Sequence, residues 1–236
     1  MKKIFILFLM SLLMLAFVSL KAQCRYCNTY EDYVAGRWQP LDTIYFDQHS
    51  KSHQVWWGGS DFTLKTGDKV LDKMLKKEVF AVMQADTIYV NCRNLRYEKA
   101  RFGNGYSRAI RMGQNDLLFV NRKIGRKEQM NAGAMAGVFG VLGGAIGGGI
   151  AGGMIASDML KNQVCYVVSG GADKKGHIIL QLMDDEEMHE IVKDRDDLHQ
   201  LYWNEKDESK RRAASNVLPI LEKAGLIQLD EIKGQL

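Results

Sequence analysis

Between residues 129 and 157 the chain carries no charged side chain, and ten of its 23 glycines fall within 132–156. The residues between them are apolar, Val138, Phe139, Val141, Leu142, Ile146 and Ile150 among them, so the composition is not that of an exposed loop. Gly140, Gly144, Gly148 and Gly152 recur every fourth position, and Gly133 with Gly137 extends the pattern. On a helix these positions make one small-residue face, the kind that lets backbones approach closely in membranes. In water such a helix is disfavoured, because each Gly costs about 1 kcal/mol relative to Ala and ten cost roughly 10 kcal/mol. An outside partner must stabilise it, either lipid or a packed protein surface.

A helix of 25 residues spans about 37 Å and exceeds a bilayer core of about 30 Å. The flanks argue against a single crossing. Arg122, Lys123, Arg126 and Lys127 precede the segment while Asp158 and Lys161 follow it, which would hold the preceding region on the cytoplasmic side. A helical hairpin insertion turning near Gly147, Gly148 and Gly149 keeps both flanks on one side. Its expected partners are a membrane or a second copy of the chain. Gly147, Gly149 and Gly152 also match the spacing of a dinucleotide fingerprint, but no β-branched strand precedes them and so dense a glycine run produces the spacing by chance.

A second constraint comes from the N-terminus. Lys2 and Lys3 precede an apolar stretch, 4–20, broken only by Ser11 and Ser19, and Ala22 offers a small residue before Gln23. Residues 1–22 therefore read as a secretory signal peptide. Attachment of lipid to Cys24 is disfavoured, since Gln23 stands where a small residue is needed. Lys plus Arg is 32 and Asp plus Glu is 28; loss of Lys2, Lys3 and Lys21 takes the net charge from +4 to +1. So balanced a surface gives no global field for nucleic acid.

Export changes the reading of the four cysteines, Cys24, Cys27, Cys92 and Cys165. Cys92 and Cys165 fall in predicted strands and are expected to pair, leaving Cys24 and Cys27 to pair locally. The C-x-x-C lacks the preceding strand of a redox motif, and two thiolates fall short of a four-ligand zinc site.

The fold class is α+β. Residues 43–46, 54–57, 79–83, 87–92, 107–111 and 117–120 alternate with period two and predict an antiparallel β-meander, interrupted by an amphipathic helix over 68–77. In the 87–92 strand, Ile88, Val90 and Cys92 share one face, which directs Cys92 to the core. Residues 164–169 and 178–182 predict a further hairpin. Asp184 with Glu187 marks a capped start for C-terminal helices, one helix or a broken pair, followed by another over 206–224 that contains Pro219 and stops at Gly225. The expected organisation is signal peptide 1–22, a mainly antiparallel β region 23–131, the glycine-rich hairpin 132–160, and a β-hairpin with C-terminal helices, 161–236, completing the same domain.

The search for catalytic and cofactor motifs is negative: no G-x-S-x-G, H-E-x-x-H or G-x-x-x-x-G-K-[ST] occurs, and no metal or cofactor is expected. His49, His53 and His177 fall in or beside loops. His189 and His199 lie ten residues apart and do not share a face of one helix. Trp56 and Trp57, adjacent on a strand, point to opposite faces, so one is either a core aromatic or a sugar-stacking surface.

The signal ending, 86–93 (Asp-Thr-Ile-Tyr-Val-Asn-Cys-Arg), the 103–106 turn (Gly-Asn-Gly-Tyr), the glycine run and the acid-capped terminal helices resemble uncharacterised exported proteins of Bacteroides-type bacteria. The resemblance implies a place in the periplasm or outer membrane of a Gram-negative cell and no particular activity. The glycine run separately resembles the glycine-zipper segments of small outer-membrane proteins, which implies membrane association or self-assembly. The function expected is that of a non-enzymatic cell-envelope protein. Its alternative is a soluble periplasmic binding protein or enzyme in which the glycine-rich hairpin is buried.

Overall fold

The computed structural model describes residues 24–50, 53–54, 60–123 and 163–229. Residues 1–22, expected to be a signal peptide, Trp56 and Trp57, and the whole glycine-rich segment lie outside these residues.

One antiparallel sheet organises the domain. Its strands are β1 (Cys24–Cys27), β2 (Gln39–Leu41), β5 (Ala81–Gln84), β6 (Thr87–Asn91), β9 (Tyr106–Met112), β10 (Asp116–Arg122), β11 (Gln163–Val168) and β13 (Gln181–Leu182), with β3 (Tyr45–Gln48) and β4 (Phe62–Lys65) joined to it through β9. The order runs β13-β11-β10-β9-β6-β5-β1-β2. Most of it is the expected meander. The exception is β1, which lies between β5 and β2, so the segment carrying Cys24 and Cys27 is an integral strand rather than a loose terminus. A second, three-stranded sheet pairs β7 (Leu95–Tyr97) with β8 (Ala100–Arg101) as a hairpin and with β12 (Ile178–Ile179) in parallel. The predicted 178–182 strand is thereby split: its second half joins β11, its first half leaves for β7.

Alternation along the strands builds cores on both faces. In β11, Val164, Tyr166 and Val168 pack with Leu117, Phe119 and Phe102, while Cys165 and Val167 turn to the helical layer. A strand covered on both sides needs a continuous apolar run, which Val-Cys-Tyr-Val-Val supplies. The helices that cover it are α3 (Asp185–Val192), α4 (Asp196–Trp203), α5 (Glu208–Arg211) and α6 (Ala214–Lys223); α1 (Tyr30–Val34) and α2 (Lys69–Lys77) lie nearer the N-terminus. Asp184 caps α3, accepting from the N–H groups of Glu186 and Glu187. Asp68 does the same for α2, through Val70 and Leu71. Pro219 sits inside α6 on its exposed side, where the carbonyl deprived of a partner faces water.

One charged cluster ties the helical layer together. Asp185 accepts from Arg211 at 2.7 Å, from Arg212 at 2.9 Å and from the Tyr202 hydroxyl at 2.8 Å. The Arg211 guanidinium lies 4.6 Å from the centroid of the Trp203 ring.

All four cysteines are buried thiols, which corrects the expected pairings. Cys24 and Cys27 are three residues apart on an extended strand, which separates their Cα atoms by about 10 Å and turns them to opposite faces. Cys92 follows the end of β6, three strands from Cys165 on β11, a distance on the order of 14 Å. Neither pair meets the reach of about 7 Å that a disulfide requires. Burial pushes the thiols of Cys27, Cys92 and Cys165 up to about 12, so none is a thiolate nucleophile at neutral pH.

Candidate functional site

The β7–β8 hairpin places two arginines on one face. Leu95, Tyr97, Ala100 and Phe102 face the core, so the intervening Arg96 and Arg101 face outward, and the register makes them direct cross-strand partners. The hairpin closes through Glu98, whose φ of 53° supplies the left-handed twist of a two-residue turn. Arg96 is fastened by its own guanidinium, which donates at 2.7 Å to the carbonyls of both Arg93 and Leu95.

Arg93 comes from the short 3-10 turn Cys92–Asn94 that follows β6. Asn91, 2% exposed, positions that turn: its amide nitrogen donates to the carbonyls of Leu75 and Val79, and its amide oxygen accepts from the Arg93 N–H. The Cys92 N–H donates to the Gly105 carbonyl, which brings Arg93 beside Asn104 at 3.4 Å.

The opposite wall comes from the β3–β4 hairpin. His49 follows β3 and lies between Ser60 and Thr63: Nδ1 donates to the Ser60 carbonyl at 2.8 Å, and Nε2 meets the Thr63 hydroxyl at 2.7 Å. A carbonyl can only accept, so Nδ1 carries a hydrogen and donates it to Ser60. The His53 ring lies 4.1 Å from that of His49, and burial together with His49 lowers its pKa. The third wall is His177, which follows the 170–176 loop; there Asp173 accepts from the N–H groups of Lys175 and His177 and from His177 Nδ1 at 2.9 Å. Those bonds hold the Asp173 carboxyl down to about 2. The parallel pairing of β12 with β7, Ile178 opposite Leu95, then brings His177 level with Asn94, and both line the cleft.

Together these walls enclose a cleft of about 600 Å³. The described residues that line it include three arginines and no carboxylate. Among the described residues neither Arg93 nor Arg96 has a carboxylate partner, and the carboxylate closest in effect, Asp173, is already engaged by His177. Burial lowers the Arg96 pKa, the Arg101 charge adds to this, and Asp173 offsets part of it before the smaller effect of Arg93. Like charges directly opposite on a hairpin are destabilising. An arrangement that gathers guanidiniums at this cost and gives them hydrogen-bond donors nearby is suited to holding an anion.

Below the cleft runs a polar chain. The Cys92 thiol contacts the Ser107 hydroxyl at 3.3 Å, and Ser107 hydrogen-bonds the carboxylate of Asp61. Burial raises Asp61 to about 6, against the hydrogen bonds of Ser107 and the Arg108 N–H and the attraction of His49. Gly105 backs this region with φ of +143°; a Cβ there would lie 2.5 Å from the Phe62 carbonyl and 3.0 Å from the His49 ring.

A comparison with known protein families matches residues 25–228 to a family of unknown function, DUF6563. The chain belongs to DUF6563. The matched span includes every residue of the cleft, so in this DUF6563 chain the arginine hairpin is part of the family domain and not an appendage. No curated protein and no solved structure matches the chain.

Of the residues singled out from sequence, Gly133, Gly137, Gly140, Gly144, Gly148 and Gly152 lie outside the described residues. No helix among the described residues is long and apolar enough to cross a membrane, and none of their His, Cys, Asp and Glu side chains form a group of three that could hold a metal. His49, His53 and His177, placed in loops by sequence, converge on the cleft. His189 and His199 stand on separate helices, α3 and α4, and the break between these brings their rings to 6.0 Å. The arginines were missed. Their signal is the alternation Leu-Arg-Tyr, Glu-Lys, Ala-Arg-Phe over 95–102, two short strands around a two-residue turn.

Proposed function

We propose that this DUF6563 chain is an exported, non-enzymatic cell-envelope protein of a Gram-negative bacterium, whose β domain binds an anionic ligand while the glycine-rich segment 132–156 associates with a membrane or with a second copy. The observation that carries the binding half is the cross-strand pair Arg96 and Arg101 with Arg93 beside it, lining one cleft. Arg93 and Arg96 have no carboxylate partner among the described residues, and a bound anion would supply one. The association half rests on sequence, on ten glycines that make the segment a poor helix unless something covers it.

Two experiments test the halves separately. Titration of the protein with inorganic phosphate at low ionic strength should give saturable binding that Arg93→Gln and Arg96→Gln weaken. Fractionation of native cells should place the protein with the envelope, and Gly144→Leu with Gly148→Leu should release it by holding the backbones apart. A protein that remains monomeric and freely soluble without detergent overturns the association half and makes it a soluble periplasmic binding protein.

A further inference from the structure

The cleft is much larger than the anion that its arginines would grasp. At about 600 Å³ it falls within the range of about 300–1,000 Å³ typical of small-molecule sites, of which a tetrahedral oxyanion fills a minor part. What lines the remainder therefore describes the rest of the ligand.

That lining is polar. Asn94 contributes an amide that no described residue engages, Asn104 has its amide nitrogen unspent after its oxygen accepts from Arg93, and Thr63 and His177 add a hydroxyl and an imidazole. These groups both donate and accept, the match required by a ring of hydroxyls. The one phenylalanine of the lining, Phe102, is 3% exposed and packs its ring against Phe119 and Tyr166 in the core. Phe102 itself therefore offers the ligand no ring face.

Resting on the reading of the cleft as an anion site, we infer that its ligand is a phosphorylated sugar, the phosphate held by Arg93 and Arg96 and the sugar hydroxyls by Asn94, Asn104 and His177. Guanidiniums bind phosphate through two parallel N–H donors each, so the group is fixed in orientation as well as in place. The sugar then lies toward the wall formed by Thr63 and His49.

Calorimetric titration with four probes tests this: inorganic phosphate, glucose 6-phosphate, O-phosphoserine and glucose. Glucose 6-phosphate should bind at least tenfold tighter than inorganic phosphate or O-phosphoserine, and glucose should not bind detectably. Asn94→Ala should erase most of that tenfold preference while leaving phosphate affinity within about twofold, and thermal melts will show that the variant is folded. Equal affinity for phosphate and glucose 6-phosphate overturns the sugar assignment and leaves the anion site standing. Tighter binding of O-phosphoserine overturns it in favour of a phosphopeptide. Failure of every phosphate probe overturns the anion site itself.

Discussion

Arg96 and Arg101 face each other as direct cross-strand partners on the hairpin that forms one wall of the cleft. Side chains so placed have Cβ atoms about 5 Å apart, and like charges at that separation repel. Reversal of one charge removes a cation from the cleft. Arg101→Glu is expected to abolish phosphate binding. Calorimetry on a variant that urea unfolding shows to be folded checks this; a folded variant that keeps binding contradicts the assignment.

Gly105 allows the 103–105 turn to pass close behind the cleft. Its φ of +143° is strained for any L side chain, and an added Cβ would press on the Phe62 carbonyl, the Ser60 hydroxyl and the His49 ring. Gly105→Ala should therefore cost about 1–3 kcal/mol. It should also weaken phosphate binding by displacing His49 and Asn104. Gly113→Ala is the control: its φ of +58° is also left-handed, but nothing lies within 4 Å of a Cβ there, so its cost should be smaller and binding unchanged.

Asp61 makes stability depend on pH. Its carboxyl rises from 3.8 to about 6 on folding, chiefly through burial, so between these values the folded chain holds more protons than the unfolded one. The contribution is full below about pH 4 and is lost as pH rises through about 6, a difference of roughly 3 kcal/mol for a shift near two units. Asp61→Asn should match the wild type near pH 3.5 and exceed it at pH 7.5. Denaturation midpoints at the two pH values measure this.

Asp185 has the opposite dependence. Burial alone would raise its carboxyl, but the hydrogen bonds from Arg211, Arg212 and Tyr202 outweigh it and hold the group well below the usual carboxylate range. Its contribution is present above the unfolded value and is lost as pH falls toward the depressed folded one. Asp185→Asn should cost about 2 kcal/mol at pH 7 by leaving two arginines without their acceptor. The cost should shrink in acid.

The strands and helices with strong local signals were legible in the sequence. The helix of Lys69–Lys77, the strands of Thr87–Asn91, Tyr106–Met112 and Asp116–Arg122, and the Asp184 cap all follow from period and capping. The site was less so, because its walls are distant in sequence: His49, Arg96 and His177 meet only through the β3–β4 hairpin and the parallel pairing of β12 with β7. No local pattern encodes that pairing. The cysteines misled for a related reason, since an even count in a chain expected to be exported invites pairing, whereas strand order places three strand spacings between Cys92 and Cys165. Asn91 looks like an ordinary strand residue until its bonds to Leu75 and Val79 show it closing the end of a helix.

Calorimetric titration of inorganic phosphate into the wild type and into the Arg93→Gln, Arg96→Gln double variant, at low and at raised ionic strength, tests the anion site most directly. The account predicts saturable binding to the wild type that weakens with salt, and at least tenfold weaker binding to a double variant that still melts cooperatively. Equal phosphate binding by the two proteins, or none by either, would contradict it.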